Sequence, residues 1–498
     1  MCKSIITTFI VFLSCSSLLC CRAYGTADWS FSVIGDTRGQ EDSTTGVSTY
    51  LNAIATVMAN PSSVSGGAIT PSAALVTGDL INGGALTLPV DYTTQFNNWK
   101  TAMVPFITTA GIPVYTLRGN HEACLKDGEQ PDPGLKTAYY TAFGSTTPTI
   151  GSLVPQNGPN NGGTDNEVGF TWNLKKNNIR IIALDQYFYW NQTPQGGSYY
   201  YQIDQAWLNR QLTKTAPKRY TFVTAHEPVY YMKDGFDFYG STSPAGLAAQ
   251  QVFWNSLGSN GVKMYLCCHV HNVEVGTAKD GNGNVIYQNV VGNGGAKLDE
   301  AGTTDPALTM TYQNFTNYGF ALFKVTDAKI IITYYLYDPT AAPGAQWSLA
   351  PYTINLLADP VNTWTGAGAN NNWATVGNWD VNAAPGATDT AVFDMGAGTI
   401  STVDFTADAT NNRLFIANGS NTFNLAGNKY TATTTNIDGS ENSTYDPKLT
   451  ISGAGSTFNT TTLTMDGNSS FIVNGGATAT CGRKRFESGY GNEWHSHH

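Results

Sequence analysis

Ile112-Pro113-Val114-Tyr115-Thr116-Leu117-Arg118-Gly119-Asn120-His121-Glu122 changes character halfway along. Its first part is apolar and reads as a short buried strand. Its second part leaves an amide oxygen and an imidazole at the strand's carboxyl end, where open α/β sheets collect ligands. Four other apolar runs stop in the same way. Residues 29–34 lead to Gly35-Asp36-Thr37-Arg38, and residues 73–77 to Gly78-Asp79. Residues 220–225 lead to His226-Glu227-Pro228, and residues 262–268 to His269-Val270-His271. Of the seven histidines, three (His495, His497 and His498) close the chain, and every other one follows an apolar strand. A lone histidine there is ordinary core or surface material. Four of them beside Asp36, Asp79 and Asn120 make a ligand set.

Helical stripes separate these strands. Val47, Leu51, Ile54 and Met58 recur at helical spacing, as do Tyr92, Phe96, Trp99, Met103 and Phe106. The second stripe is core packing. Further helices are expected around Ile203, Trp207 and Leu212 and around 247–257, while 125–168 reads as loops. Strands are expected near 179–184, 285–291, 319–326 and 330–337. Strand and helix alternate, so this part of the chain is α/β.

With 498 residues, two or three domains are expected. Charged residues make up only 12%, net charge is −10, and glycine (52 residues) is abundant, which suits β-rich extracellular material. An acidic chain with no Lys/Arg patch excludes a nucleic-acid or anionic-membrane surface built on basic charge. Residues 1–25 read as a secretory signal: Lys3, an apolar stretch from Ile5 to Cys21, and a small-residue cleavage site at Ala23-Tyr24-Gly25. No later apolar run is long enough for a transmembrane span. Four cysteines fall outside the leader, Cys124, Cys267, Cys268 and Cys481, too few for a disulfide scaffold.

In their order, the five blocks resemble the calcineurin-like metallophosphoesterase family, whose pattern is Asp-x-His, Gly-Asp, Gly-Asn-His-(Asp/Glu), His and Gly-His-x-His. The likeness runs from residue 27 to 357. It implies a sandwich of two β-sheets flanked by helices, with two divalent metal ions (Zn, Mn or Fe) at the strand ends. By position, Asp36 and His271 would hold the first ion, Asp79 would bridge, and Asn120, His226 and His269 would complete the second. The implied reaction is hydrolysis of phosphate mono- or diesters by a metal-bound hydroxide. His121 would protonate the leaving oxygen or stabilise the transition state; Glu122 is either the acceptor that orients it or a plain surface carboxylate.

Two positions depart from the pattern. Arg38 stands where the family has a ligating histidine, and a guanidinium cannot bind a metal. The first site is then weak, water-filled or rebuilt from a neighbour; Arg38 either forks onto the substrate phosphate or is structural. Cys268 replaces the glycine before His269. Asn82 is not the tyrosine of purple acid phosphatases, so the iron–tyrosinate subclass is not expected. The aromatic loops at 187–190, 199–201 and 230–231 either wall a substrate pocket or pack on one another.

Composition shifts near residue 360. Trp364-Thr-Gly-Ala, Asn372-Trp373, Asn378-Trp379-Asp380 and Pro385-Gly386 resemble the opening of autotransporter-associated β-strand repeats. Short β segments at 413–417, 422–425, 448–451 and 470–473 then recur between Gly/Asn turns, which suits a small β-solenoid or sandwich. The expected organisation is a signal peptide (1–25), a catalytic domain (26–358), a β-repeat module (359–480) and a charged, disordered tail (481–498). The chain reads as a secreted or surface-held bacterial phosphoesterase acting on a small phosphoester, attached to cell surface or matrix through its β module. The rival reading is a catalytically impaired surface binding or adhesive protein on the same fold.

Overall fold

The computed structural model describes residues 29–40, 43–84, 90–123, 132–143, 149–150, 156–158, 167–176, 178–187, 203–214, 216–232, 244–396, 398–438, 447–466, 468–486 and 493–496. The expected leader and most of the first two aromatic loops (188–202) lie outside them.

The first α/β half opens with β1 (Trp29–Ile34), α1 (Leu51–Ala59), β2 (Ala73–Val76), α2 (Tyr92–Ala102) and β3 (Val114–Thr116). These three strands are parallel neighbours. Both of their faces are buried, which is why they read as continuous apolar runs rather than alternating ones. Phe31, Val33 and Leu75 point to one core, and Ile34, Ala74 and Val76 to another. Asp91 starts α2 by accepting the Thr94 N–H at 2.7 Å.

Next come α3 (Pro133–Phe143), β4 (Thr149–Ile150), β5 (Gln156–Asn157), β6 (Trp172–Lys176), β7 (Ile179–Ala183), α4 (Gln205–Lys214), β8 (Tyr220–Thr224), α5 (Pro244–Ser259) and β9 (Met264–Cys267). The half closes with β10 (Val273–Lys279), β11 (Val285–Val291), β12 (Thr309–Asn314), β13 (Tyr318–Val325), β14 (Lys329–Tyr337) and β15 (Trp347–Leu357). Helix α3 corrects the expectation of loops throughout 125–168: Leu135, Tyr139 and Phe143 bury a stripe against Phe96 and Trp99 of α2. Glycine, proline and threonine around it masked that short stripe.

Two mixed sheets result, in the orders β15-β14-β13-β1-β2-β3-β4 and β12-β10-β11-β9-β8-β7-β6-β5. Between them lies one core, with Phe31 stacked on Phe323 at 4.5 Å and edge-on to Phe222 at 6.0 Å. A second core joins α1, α2 and α3 to the outer face of the first sheet; a third joins α4 and α5 to the outer face of the other. The expected sandwich of two sheets flanked by helices is therefore the fold. In each sheet the central strands are parallel, and their carboxyl ends meet along one edge.

From β16 (Val361–Thr363) the architecture changes. The strands β17 (Thr390–Asp394), β18 (Ile400–Asp404), β19 (Ala409–Asn418), β20 (Ser420–Asn424), β21 (Lys429–Asp438), β22 (Lys448–Ser452), β23 (Thr457–Asp466), β24 (Ser470–Val473), β25 (Thr478–Phe486) and β26 (Glu493–Ser496) alternate between two parallel sheets. This is a solenoid of stacked turns, not an antiparallel sandwich. Phe423 lies beside Ile451 and Ile451 beside Val473 on successive turns, with Tyr430 stacked on Phe458 at 5.5 Å. Trp364, Trp373 and Trp379 close the start of this core. Of the tail expected to be disordered, residues 481–486 belong to β25 and residues 493–496 form β26, each paired with the preceding turn; 487–492 and 497–498 lie outside the described residues.

The solenoid packs against the α/β half beside Arg219, which immediately precedes β8. The guanidinium donates from Nε to Val361 O at 2.9 Å and pairs with Asp380 at 2.9 Å and Asp327 at 3.3 Å. Ala216 joins Val361, Val392, Phe415 and Ala417 in a small apolar seam. His226 lies at the opposite end of β8, so the solenoid sits away from the edge where the motif residues gather. Among the described residues, no helix is long and apolar enough to cross a membrane.

Candidate metal centre

Five strand ends deliver the motif residues to one place: β1 brings Asp36, β2 Asp79, β3 Asn120 and His121, β8 His226, and β9 His269 and His271. Asp36, Asp79 and His269 all adopt positive φ (53°, 52° and 72°), a region that side chains other than glycine seldom occupy. Such strain costs on the order of 1–3 kcal/mol per residue. Here it turns three polar side chains out of their strands and towards each other. The motif glycines allow the close approach. A Cβ on Gly119 would lie 2.0 Å from Asp79 Oδ1, and one on Gly78 would lie 2.4 Å from His226 Nδ1.

Asp36 and Asp79 are buried side by side. Burial raises the Asp36 carboxyl well above its ordinary value; the Asp79 charge adds to this and Arg38 opposes it. Burial pushes Asp79 up as well, but His226, His121 and Arg38 outweigh it and hold that carboxyl far below the usual range. Burial is also the leading cause that lowers the pKa of His121, His226, His269 and His271, the last from 6.5 to about 4.

The donor set fits a cation. Thr77 O, 3.1 Å from His226 Nδ1, accepts its N–H, leaving the Nε2 lone pair facing Asn120 Oδ1 at 2.9 Å. His269 Nδ1 is 3.2 Å from both atoms. Two acceptors face each other, an arrangement that either a cation or an amide turned over would relieve. If turned, the Asn120 NH2 would reach the Asp79 oxygens at 3.2 and 3.3 Å. Asp79, Asn120, His226 and His269 thus surround one point. Asp36, Asp79 and His271 form a second group, their candidate ligand atoms all within 4.8 Å of one another, and Asp36 Oδ1 is buried without a hydrogen-bond partner. Cys268 also lies near Asp36 and His226. Its thiol pKa is raised by burial, and its Sγ–H donates to Thr77 O at 2.9 Å.

Arg38 lies in the second group. Its Nη2 is 3.3 Å from His271 Nε2, and its Nε is 3.6 Å from Asp79 Oδ2. His121 stands at the rim, with Nε2 3.7 Å from Asp79 Oδ2. The expectation that Glu122 orients His121 is corrected. Glu122 is fully buried and accepts three backbone N–H groups, from Gly119 at 2.8 Å, Asp79 at 2.9 Å and Ile81 at 3.0 Å. It ties the β2 and β3 loops together, and burial raises it to about 8 despite those amides. The His121 ring is fixed instead by the Asn82 carbonyl, 2.9 Å from Nδ1.

Sequence reasoning missed that carbonyl, and also Lys297 O, 2.9 Å from His271 Nδ1. Backbone carbonyls leave no mark in residue identity. Asp299, which accepts the His271 backbone N–H at 2.9 Å, had a findable signal: Gly292-Asn293-Gly294-Gly295 follows β11 as glycines follow the motif strands. Asp185, read as structural, pairs with buried Arg118 at 2.5 Å. Tyr187 is buried and donates to Glu227 Oε1 at 2.7 Å, so it packs rather than lining an open pocket. Tyr230, from the third aromatic loop, likewise packs edge-on against Trp254 at 5.0 Å.

Residues 31–273 match the family model for calcineurin-like phosphoesterases. No curated protein matches the chain. Among solved structures, the purple acid phosphatase PPD1 from yellow lupin (Lupinus luteus) seeds is 17% identical with a TM-score of 0.44, over 66% of this chain and 54% of that one. The chain thus spans about half of the lupin enzyme. A structure of PhoD is 13% identical with a TM-score of 0.45, over 65% of this chain and 68% of that one. GAP50, the anchor in the inner membrane complex of Plasmodium, is 14% identical with a TM-score of 0.41, over 67% of this chain and 89% of that one. The family match implies a dinuclear metal site and supports a metal-dependent phosphoesterase. With Asp36, Asp79, Asn120, His226, His269 and His271 gathered at the strand ends it covers, the chain carries a calcineurin-like phosphoesterase domain over residues 31–273.

Proposed function

We infer that this chain hydrolyses phosphate mono- or diesters at the strand-end centre, and that residues 359–480 form a module that attaches or spaces it outside the cell. The observation that carries the reading is the Asn120 oxygen facing the His226 lone pair beside Asp79, a donor set suited to a divalent cation such as Zn, Mn or Fe. Asp79, Asn120, His226 and His269 would hold one ion; Asp36, Asp79 and His271 are the family's positions for another. A divalent ion there supplies Lewis acidity, lowering the pKa of water and neutralising phosphoryl charge.

The chain's own residues do the rest. His121 keeps its Nδ1 proton on Asn82 O, so Nε2 is the atom that receives a proton and passes it to the leaving oxygen. A phosphoryl dianion beside the ring favours the protonated form that burial alone disfavours. Arg38 offers N–H groups to the phosphoryl oxygens. Glu122 holds the loops that carry Asp79 and Asn120 in register. The leader-like residues 1–25 and the solenoid support a place outside the cell.

The test is turnover of aryl phosphate mono- and diesters by the full chain, before and after chelation, beside His226→Ala. Turnover that chelation and the substitution both abolish is expected. Metal binding without turnover of any ester would favour the binding-protein reading.

A further inference from the structure

The family pattern gives Asp36, Asp79 and His271 to the first metal ion, and Arg38 stands among them. Its guanidinium is held at three points: Nη2 against His271 Nε2 at 3.3 Å, Nε against Asp79 Oδ2 at 3.6 Å, and Nη1 on Gly39 O at 3.4 Å. Lys297 O accepts the His271 Nδ1–H, so Nε2 carries the lone pair, and that lone pair already accepts the Arg38 N–H. An imidazole nitrogen has one lone pair to give. A divalent ion would need it at about 2.0–2.1 Å. It would also face the Arg38 guanidinium, a cation whose Nε lies 3.6 Å from Asp79 Oδ2. Asn120, His226 and His269 instead face one another, with His226 Nε2 3.4 Å from Asp79 Oδ1.

We propose that this chain holds a single divalent ion, among Asp79, Asn120, His226 and His269, and that the Arg38 guanidinium replaces the first ion as a built-in cation for the phosphoryl oxygens. The buried Asp79 carboxylate, 3.6 Å from Nε, supplies the negative charge that such a cation needs. Asp36 Oδ2 accepts the His269 backbone N–H at 2.8 Å, so Asp36 aligns the β9 loop, while its Oδ1 lies 3.7 Å from His271 Nε2. His271 then holds Arg38 in place.

The proposal rests on the metal-dependent reading above, and ion counting separates the two. The full chain is loaded with excess Mn or Zn, freed of unbound ion by gel filtration and subjected to elemental analysis. The wild-type chain is expected to retain one ion, H271A to retain that one, and R38H, which restores the ligand, to gain a second. Two ions in the wild-type chain, or loss of an ion in H271A, would overturn the proposal. No ion in any variant would overturn the metal-dependent reading and this proposal with it. Should R38H fail to fold, the wild-type and H271A counts decide alone. Binding of inorganic phosphate gives a second readout: R38Q should weaken it roughly tenfold or more, as expected for the loss of a charge-assisted fork, and unchanged binding would refute the role assigned to Arg38.

Discussion

Gly119→Ala isolates what the motif glycine does. Gly119 has φ −101° and ψ −174°, extended backbone that alanine adopts without strain, so the substitution acts through space alone. The new methyl would meet Asp79 Oδ1 at 2.0 Å, Asp79 N at 2.5 Å and His226 Cε1 at 2.8 Å, where ordinary contact begins at 3.4 Å. The carboxylate must recede by more than an ångström. It cannot do so freely, because Oδ1 accepts the His121 N–H at 3.0 Å and Asp79 N donates to Glu122 at 2.9 Å. Overpacking of this kind costs about 1–3 kcal/mol of stability. Loss of glycine's freedom in the unfolded chain returns about 0.4–1 kcal/mol of that. The fold should therefore survive. Metal sites tolerate shifts of only about 0.2 Å in ligand distance, and a misplacement of about 1 Å costs roughly 10²-fold in rate. We expect a folded protein that has lost its ion and at least a hundredfold in kcat/KM. Elemental analysis, circular dichroism and aryl phosphate turnover measure the three quantities. A variant that keeps its ion and turns over within tenfold of wild type would refute the argument.

Three further outcomes are expected. His121→Ala should lower kcat by about 10²–10⁴-fold and leave ion content unchanged; loss of the ion would contradict a proton-transfer role. As pH falls, protons compete with the ion for its ligands. Because burial holds His226 and His269 below 6.5, they stay unprotonated through that value, and ion release in equilibrium dialysis should come at lower pH; a release midpoint at or above 6.5 would be the wrong sign. Trp379→Ala removes a buried ring that packs on Trp373 at 4.8 Å and donates to its carbonyl at 2.8 Å. It should destabilise the solenoid by about 3–5 kcal/mol in denaturant melts while leaving ester turnover intact, and an unchanged melt would show that this cap is dispensable.

The sequence by itself determined the α/β half, the strand ends that would carry chemistry, and the strand-rich region beyond residue 360. Each of these rests on local rules: apolar runs make strands, and a polar residue after a buried strand lands at a sheet edge. Helix α3 escaped that reading because only Leu135, Tyr139 and Phe143 mark it, amid residues that favour loops. So did β25 and β26, since a charged segment becomes a strand once the preceding turn presents an edge to pair with. Only the tertiary structure decided what the motif residues touch. That Glu122 serves three backbone amides, that Asn82 and Lys297 fix two imidazoles through their carbonyls, and that Arg38 meets the His271 lone pair all depend on loops distant in sequence being brought within hydrogen-bond range. Residue identity states what a side chain can donate or accept; which partner it meets is set by the packing of two sheets.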